Sequence, residues 1–581
     1  MTSLFQLFYR SALAPLLLAT TTGVAVAAVA QNTEPVDIES APAAVEPDYS
    51  GANLLIELSA KDDQVMSHLI ELTSTFGPRL TGSTSLTNAG EWAKKRFASY
   101  GLQASTERWG EFPVGFDRGI DSGFIVGIGE KDEEGKPSDV KLEFITNAWS
   151  AGTDGPTRGR VVLEPLIVDE FDASLYEDAW ILRRPRKERP TTLTRRKLDK
   201  LLAEAGMLGE LRNSGTTLPV VSGNQNITWD DIPEHPSVRL VSTSYQVLMD
   251  QLMAEGSPGV EVEIDLQHTF VPGPIDLYNV IADIPGTEFP DEYVIVGGHL
   301  DSWGAAVGAQ DNGTGCATTF EAARLLMKSG LKPRRTIRFM LWSGEEQGLF
   351  GSQAYAKAHP EVCDGASAVL VHDGGGNYLS GIQGPKALVD DLRMVFAPLA
   401  NLNPEMPFVV RENRGLSTFG MSDHASFTQQ GAPGFFWDQS GELDYNYVHH
   451  TLNDTVDMVN ADYQRQSALV VAIGALGIAN LDSKLDRTDL IAKRAPSTRN
   501  RRTMGVYLDE NTVTDVIGDS LASKAKWKSG DIIIAIDGVA VTSRQEIVTE
   551  LQKGDAKKVI TLQRGKEKIE STLEWPSKKR P

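Results

Sequence analysis

Between residues 278 and 481 the chain repeats one arrangement, a short apolar run followed by a longer stretch with helical spacing. The runs are "YNVIADI", "EYVIVGGH", "RTIRFMLWSG", "ASAVLVHD" and "PGFFWD". Between them lie "CATTFEAARLLMKSG" and "ALVDDLRMVFAPLA", and "ADYQRQSALVVAIGALGIANL" closes the series. A strand with one wet face alternates polar and apolar residues. These runs barely alternate, so both faces of their sheet must be covered. The pattern predicts an α/β fold: a mixed, largely parallel sheet sandwiched by helices. Two earlier helices are predicted, in "DDQVMSHLIELTSTFG", ended by Gly77-Pro78, and in "SLTNAGEWAKKRFASYG", closed by Gly101.

Sheets of this kind gather their chemistry beyond the carboxyl ends of the strands. "YVIVGG" delivers His299 and Asp301, and the glycine-rich loop after them supplies Asp311. "IRFMLWSG" delivers Glu345 and Glu346, "SAVLVH" delivers Asp373, and "YNYVHHTLNDT" places His449 and His450 before the last helix. Two histidines and three carboxylates without a cysteine suit zinc, cobalt or manganese. Five ligands fit a pair of ions sharing one carboxylate better than one crowded ion. Such a pair polarises a carbonyl and makes hydroxide near neutral pH. Glu345-Glu346 offers one side chain to hold metal and one to move protons. Taken singly, His372 and His424 read as ordinary hydrogen-bonded residues, and Asp423 as a support beside the ligands. There is no His-Glu-x-x-His and no Gly-x-Ser-x-Gly.

The order "HLD", "AQDNGTG", "SGEEQGLFGS", "VHDGG", "HHTLNDT", together with "GMSDHASFTQQGAPG", resembles the co-catalytic zinc peptidases of the M28, or aminopeptidase Y, family. "TFGPRLTGS", "HDGGGN" and the paired histidines look most like its plasma glutamate carboxypeptidase branch. The resemblance covers residues 51–140 and 273–483. It implies two Zn2+ per chain, with Co2+ or Mn2+ as substitutes. His299 and Asp373 would hold one ion, Glu346 and His450 the other, and Asp311 both. Glu345 would be the general base, and Asp301 would orient the His299 imidazole. Many relatives carry tyrosine just before the last ligand, as a donor to the oxyanion. Here His449 stands there, with oxyanion donation and plain packing both open. His450 is preferred over His449 as ligand by its offset from Asp454-Thr455. The implied activity is hydrolysis of short peptides, as an aminopeptidase or dipeptidase. Two rivals are a single-zinc acyltransferase like glutaminyl cyclase, and a non-catalytic binding protein on the same scaffold.

The 581-residue chain is long enough for about two to four domains. Residues 141–272 turn to short strand-like runs, "GRVVLEP", "TLPVVSG" and "GVEVEIDL", and read as an inserted, mostly β module. "NAWSAGTDGPTRGRVVL" resembles a protease-associated domain; from its position the insert would roof the cleft, with a plain spacer as the alternative. "SGIQGP" and "RENRGLST" are candidate pocket loops. After a linker at 484–498, residues 499–581 resemble a bacterial PDZ domain through "KSGDIIIAIDG". That implies capture of a peptide C-terminus by the loop Thr503-Met504-Gly505-Val506.

Residues 1–30 have the charged start, apolar middle and Ala-Val-Ala ending of a cleaved signal peptide, with a membrane anchor as the alternative. A periplasmic or secreted protein follows, with no membrane span after cleavage. Residues 31–50 read as a disordered leader. A formal charge of −22 argues against nucleic acid. The basic cluster from Arg183 to Lys197 reads as a solvated face. Cys316 and Cys363 are either bridged or two free buried thiols. Oligomeric state is open, a homodimer included.

Overall fold

Six strands build the main sheet: β1 (Gln103–Arg118), β2 (His268–Ile284), β3 (Phe289–His299), β4 (Arg335–Trp342), β5 (Ala366–Val371) and β6 (Gly434–Phe436). Their spatial order is β1-β2-β4-β3-β5-β6. β4, β3, β5 and β6 pair in parallel, and β2 pairs antiparallel with both β1 and β4. The computed structural model describes residues 48–166, 171–185, 192–492, 502–516 and 520–575. The predicted signal peptide, most of the leader, and the linker from 493 lie outside these residues.

The near-continuous apolar runs follow from burial on both faces. Val294, Val296, Ile337, Phe339, Leu341, Ala368 and Leu370 enter one core. Their chain neighbours Ile295, Met340, Trp342, Val369 and Val371 enter the other. On the first side lie helices α1 (Ser50–Lys61), α2 (Val65–Phe76), α3 (Thr84–Ser99), α4 (Thr314–Ser329) and α5 (Ala461–Ala479). Each such side chain contributes about 1.5–3 kcal/mol on burial. Cys316 packs in the first core and Cys363 in the second, both free and buried, so the sheet separates them.

Three parts of the architecture differ from the sequence reading. Helix α1 was not foreseen; it begins where the leader was expected to end. Residues 378–385, which include "SGIQGP", form a buried strand rather than a pocket loop. It pairs with Val409–Asn413 and Asp438–Ser440 in a three-stranded sheet. Leu379 and Ile382 are fully buried there, and a Cβ on Gly381 would stand 2.4 Å from the Val409 carbonyl. Of "RENRGLST", Arg411–Asn413 end the partner strand, and Leu416 beyond them is buried in the first core. The third difference concerns the second sheet. Its eight strands run from Ser122–Ile125 to Glu261–Asp265, and these two pair with each other. The sheet thus begins near residue 122, before the texture change read at 141. The glycine- and charge-rich stretch between hides that strand.

Residues 502–575 form a separate β-rich unit with helix Arg544–Gln552, opened by a Ser543–Glu546 capping box. Gly505 has φ +83°, and a Cβ there would meet Ser520 at 2.1 Å. Only glycine fits that turn. Among the described residues no helix is long and apolar enough to cross a membrane.

Candidate metal centre

Register sets the site. β3 pairs with β4 so that His299 is level with Trp342, and with β5 so that Gly297 is level with Val371. His299, Glu345, Glu346 and Asp373 therefore leave the sheet at one edge. The loop carrying Asp311 folds back against that edge through close backbone contacts. A Cβ on Gly298 would lie 2.8 Å from both Asn312 Nδ2 and the His372 carbonyl, and one on Gly315 2.2 Å from that same carbonyl. Asn312 Nδ2 donates to the His372 carbonyl at 2.8 Å. The Asp454 carboxylate accepts the backbone N–H groups of Gln310 and Asp311. Buried Arg79 ties the loop to β3, donating to the carbonyls of Leu300 (2.7 Å), Val307 (2.9 Å) and Gly308 (2.8 Å). This gives "TFGPRLTGS" a structural task that the sequence reading did not assign.

The structure brings His299, Asp311, Glu346, Asp373 and His450 into one cluster. His299 Nε2 lies 3.2 Å from Asp311 Oδ1 and 3.2 Å from Asp373 Oδ1. His450 Nε2 lies 3.2 Å from Asp311 Oδ2 and 2.9 Å from Glu346 Oε2. Donors around one first-row cation at about 2.0–2.2 Å stand roughly 3.0–3.5 Å apart. The contacts to the two imidazoles fall near that spacing, one on each oxygen of Asp311; His299, Asp311 and Asp373 form one group able to hold an ion, and Asp311, His450 and the neighbouring His449 another. The donor set fits hard-to-borderline divalent ions. His449 Nε2 is farther from Asp311 Oδ2, at 3.8 Å, and its ring stacks on His450 at 3.7 Å.

Asp301 is fully buried, and it orients His299 through its backbone. The His299 Nδ1 contact is to the Asp301 carbonyl at 2.9 Å, while the carboxylate is 3.6 Å away. That carboxylate accepts instead from Thr81 Oγ1 at 2.8 Å and from the backbone N–H groups of Glu345 and Glu346. It fixes the turn after β4.

The electrostatics are those of carboxylates crowded out of water. Burial, with the charge on Asp311, pushes Glu346 up to about 8. Burial and the neighbouring acids raise Glu345 well above the carboxylate range, against the pull of His299. Burial opposes ionisation of Asp311 too, yet contacts from His299 and His450 hold its carboxyl well below the usual range. His450 is raised to about 10: burial works against its charge, and Asp311 and Glu346 overcome it. Here protons and imidazolium charge offset the acids, a task bound cations would take over.

A cavity of about 740 Å3 opens on the cluster. Leu349, Met421 and Phe436 supply apolar wall, and His424, Tyr445 and His449 also line it. Tyr445, which the sequence reading missed, lies one helical turn before His449, with ring centroids 5.0 Å apart. Burial and the charges of Asp311 and Asp373 push its phenol well above the ordinary value, so it stays a hydrogen-bond donor. His372 is buried behind the site against Thr318 Oγ1 at 2.8 Å, and burial lowers it to about 4. Burial lowers His424 to about 4 as well and raises the fully buried Asp423 to about 7.

Residues 279–473 match the family described as Peptidase family M28, and residues 512–564 match a PDZ domain. Carboxypeptidase Q of Mus musculus is 26% identical over 426 residues, covering 72% of this chain and 86% of its own. Carboxypeptidase Q of Xenopus laevis is 30% identical over 295 residues, covering 49% and 59%. Among solved structures, a Peptidase M28 precursor from Shewanella amazonensis is 25% identical with a TM-score of 0.52. It covers 75% of this chain and 97% of its own.

Proposed function

We propose that this chain, with its match to peptidase family M28 and its PDZ domain, is an exported metallo-exopeptidase that cleaves short peptides from their free amino end. It would act as an aminopeptidase or dipeptidase with two zinc ions. The observation that carries the reading is the division of Asp311 between two imidazoles, each 3.2 Å from a different carboxylate oxygen.

His299 and Asp373 would hold one ion, Glu346 and His450 the other, and Asp311 would serve both. When bound, the zinc pair supplies a polarised carbonyl and a water whose pKa falls toward neutrality; cobalt or manganese would substitute. Glu345 takes the proton from the attacking water and returns it to the leaving nitrogen. Its burial favours the protonated form needed for the second transfer. The Asp301 carbonyl holds the His299 ring so that Nε2 faces the cluster. Tyr445 and His449, on the cavity wall, donate to the developing oxyanion.

The cavity wall favours the amino end of a substrate. None of its described lining residues is lysine or arginine, so no basic side chain of either type waits for a terminal carboxylate. Leu349, Met421 and Phe436 suit a neutral side chain beside the scissile bond. The signal-peptide pattern in residues 1–30 supports export to the periplasm or the medium. The PDZ domain would take a peptide C-terminus at the loop around Gly505, whose positive φ supports the tight turn such a loop needs.

The test uses zinc-loaded protein with Leu-Gly, Leu-Gly-Gly, its C-terminal amide and its N-acetyl form. Hydrolysis of the free peptides and none of the acetylated one is expected. Release of the C-terminal residue from the acetylated peptide would contradict the amino-end reading.

A further inference from the structure

We infer that the loop 219–223 of the second sheet is a strut for one end of the metal centre, the His450–Glu346 end, and not for the other. The inference rests on the two-ion reading above.

His450 has φ +60°, a left-handed backbone that side-chain-bearing residues rarely adopt. Its carbonyl is held from outside the main sheet: the backbone N–H of Val221 donates to it at 2.8 Å. Val221 is itself buried in an apolar cluster drawn from both sheets, with Phe112, Ile145, Trp149, Ile227 and Trp303. Trp303 then touches both ligands of the same ion. Its ring meets His450 edge-on, with centroids 6.1 Å apart and planes at 69°, and its backbone N–H donates to Glu346 Oε1 at 3.2 Å.

The strut is anchored at its far side. Arg239 Nη1 donates to the Val220 carbonyl at 2.9 Å and to Asn147 Oδ1 at 3.2 Å. The backbone N–H of Ala148 donates to the Ser222 carbonyl at 2.9 Å. At the other end of the centre, His299 leans on the Asp301 carbonyl within the main sheet. Among the described residues no hydrogen bond from 122–265 reaches His299 or Asp373. Freed from Val221, residues 449–451 could relax toward right-handed backbone, which would carry His450 Nε2 away from Asp311 and Glu346. His299 and Asp373 would stay where they are. Val221 is thus a positioning residue, acting on the metal through the backbone of His450.

The test is zinc stoichiometry and chelator competition on the full chain. Val221→Pro removes the donor, Val221→Ala keeps it, and Arg239→Ala loosens the anchor without touching His450. Wild type is expected to bind two ions. Val221→Pro should bind one ion as wild type does and the other roughly 10–100-fold more weakly, the range for lost supporting hydrogen bonds. Arg239→Ala should weaken the same ion by less, and Val221→Ala should match wild type. Circular dichroism and melting of the metal-free forms report folding; if Val221→Pro does not fold, Arg239→Ala decides. Two ions held as in wild type by the folded variants would overturn the strut, as would equal weakening of both. A wild-type chain that takes up one ion overturns the two-ion reading, and the strut falls with it.

Discussion

Glu345 and Glu346 are adjacent in the chain yet face different imidazoles. Glu345 Oε2 stands 4.0 Å from His299 Nε2, and Glu346 Oε2 stands 2.9 Å from His450 Nε2. The Asp301 carboxylate accepts both backbone N–H groups, so the turn cannot exchange the two side chains. Glu346 is at ligand spacing and Glu345 is not. Glu345→Gln is therefore expected to keep both ions while kcat falls by about 10²–10⁴. Steady-state kinetics beside metal analysis checks this; turnover near wild type would remove Glu345 as the base.

Tyr445 and His449 share the cavity wall, their rings 5.0 Å apart and tilted by 38°. The phenol stays protonated because burial and the Asp311 and Asp373 charges disfavour its anion. Burial keeps His449 neutral, lowering it from its ordinary value. Tyr445→Phe is expected to lower kcat by about 10²–10³ with metal content unchanged, the cost of one oxyanion donor. His449→Ala run alongside apportions the donation. Normal turnover in Tyr445→Phe would leave the hydroxyl with a packing role.

Much of this arrangement was legible because the ligands end apolar runs. His299, Glu345-Glu346 and Asp373 each follow an uninterrupted strand, and strand register alone carries them to one edge. What was hidden depends on contacts between distant segments. The strand at 378–385 is legible only once Val409–Asn413 pairs with it. Strand β1, with mixed polar and apolar residues, is a strand because β2 pairs with it along its length. Arg79 works through three carbonyls more than 220 positions away. No local pattern announces the Val221–His450 hydrogen bond, which is backbone to backbone. Tyr445 did leave a signal, an aromatic one helical turn before His449, the residue already read as a candidate oxyanion donor.

Burial pushes the Cys316 thiol up to about 12 and the Cys363 thiol up to about 11. Thiolate is the reactive form, so neither should react with a disulfide reagent at pH 8 in the folded chain. In denaturant without reductant, two thiols per chain are expected. None would mean that the two cysteines are bridged.

Asp62 joins the α1–α2 turn to α4 through Lys328 and Arg324, and their hydrogen bonds hold its carboxyl at about 2. Its unfolded value is near 3.9. The folded value is the lower one, so the contribution to stability is present above about pH 4 and is lost as pH falls toward about 2. The melting temperature of Asp62→Asn should lie below wild type at pH 6, with the gap narrowing between pH 4 and 2. A gap that does not change with pH would show that the ion pairs contribute nothing through Asp62.

The most direct test of the central claim is anomalous diffraction at the zinc edge from crystals of the zinc-loaded chain. Two peaks are expected, one among His299, Asp373 and Asp311 Oδ1, the other among His450, Glu346 and Asp311 Oδ2. A single peak, or a second one away from Asp311, would contradict it.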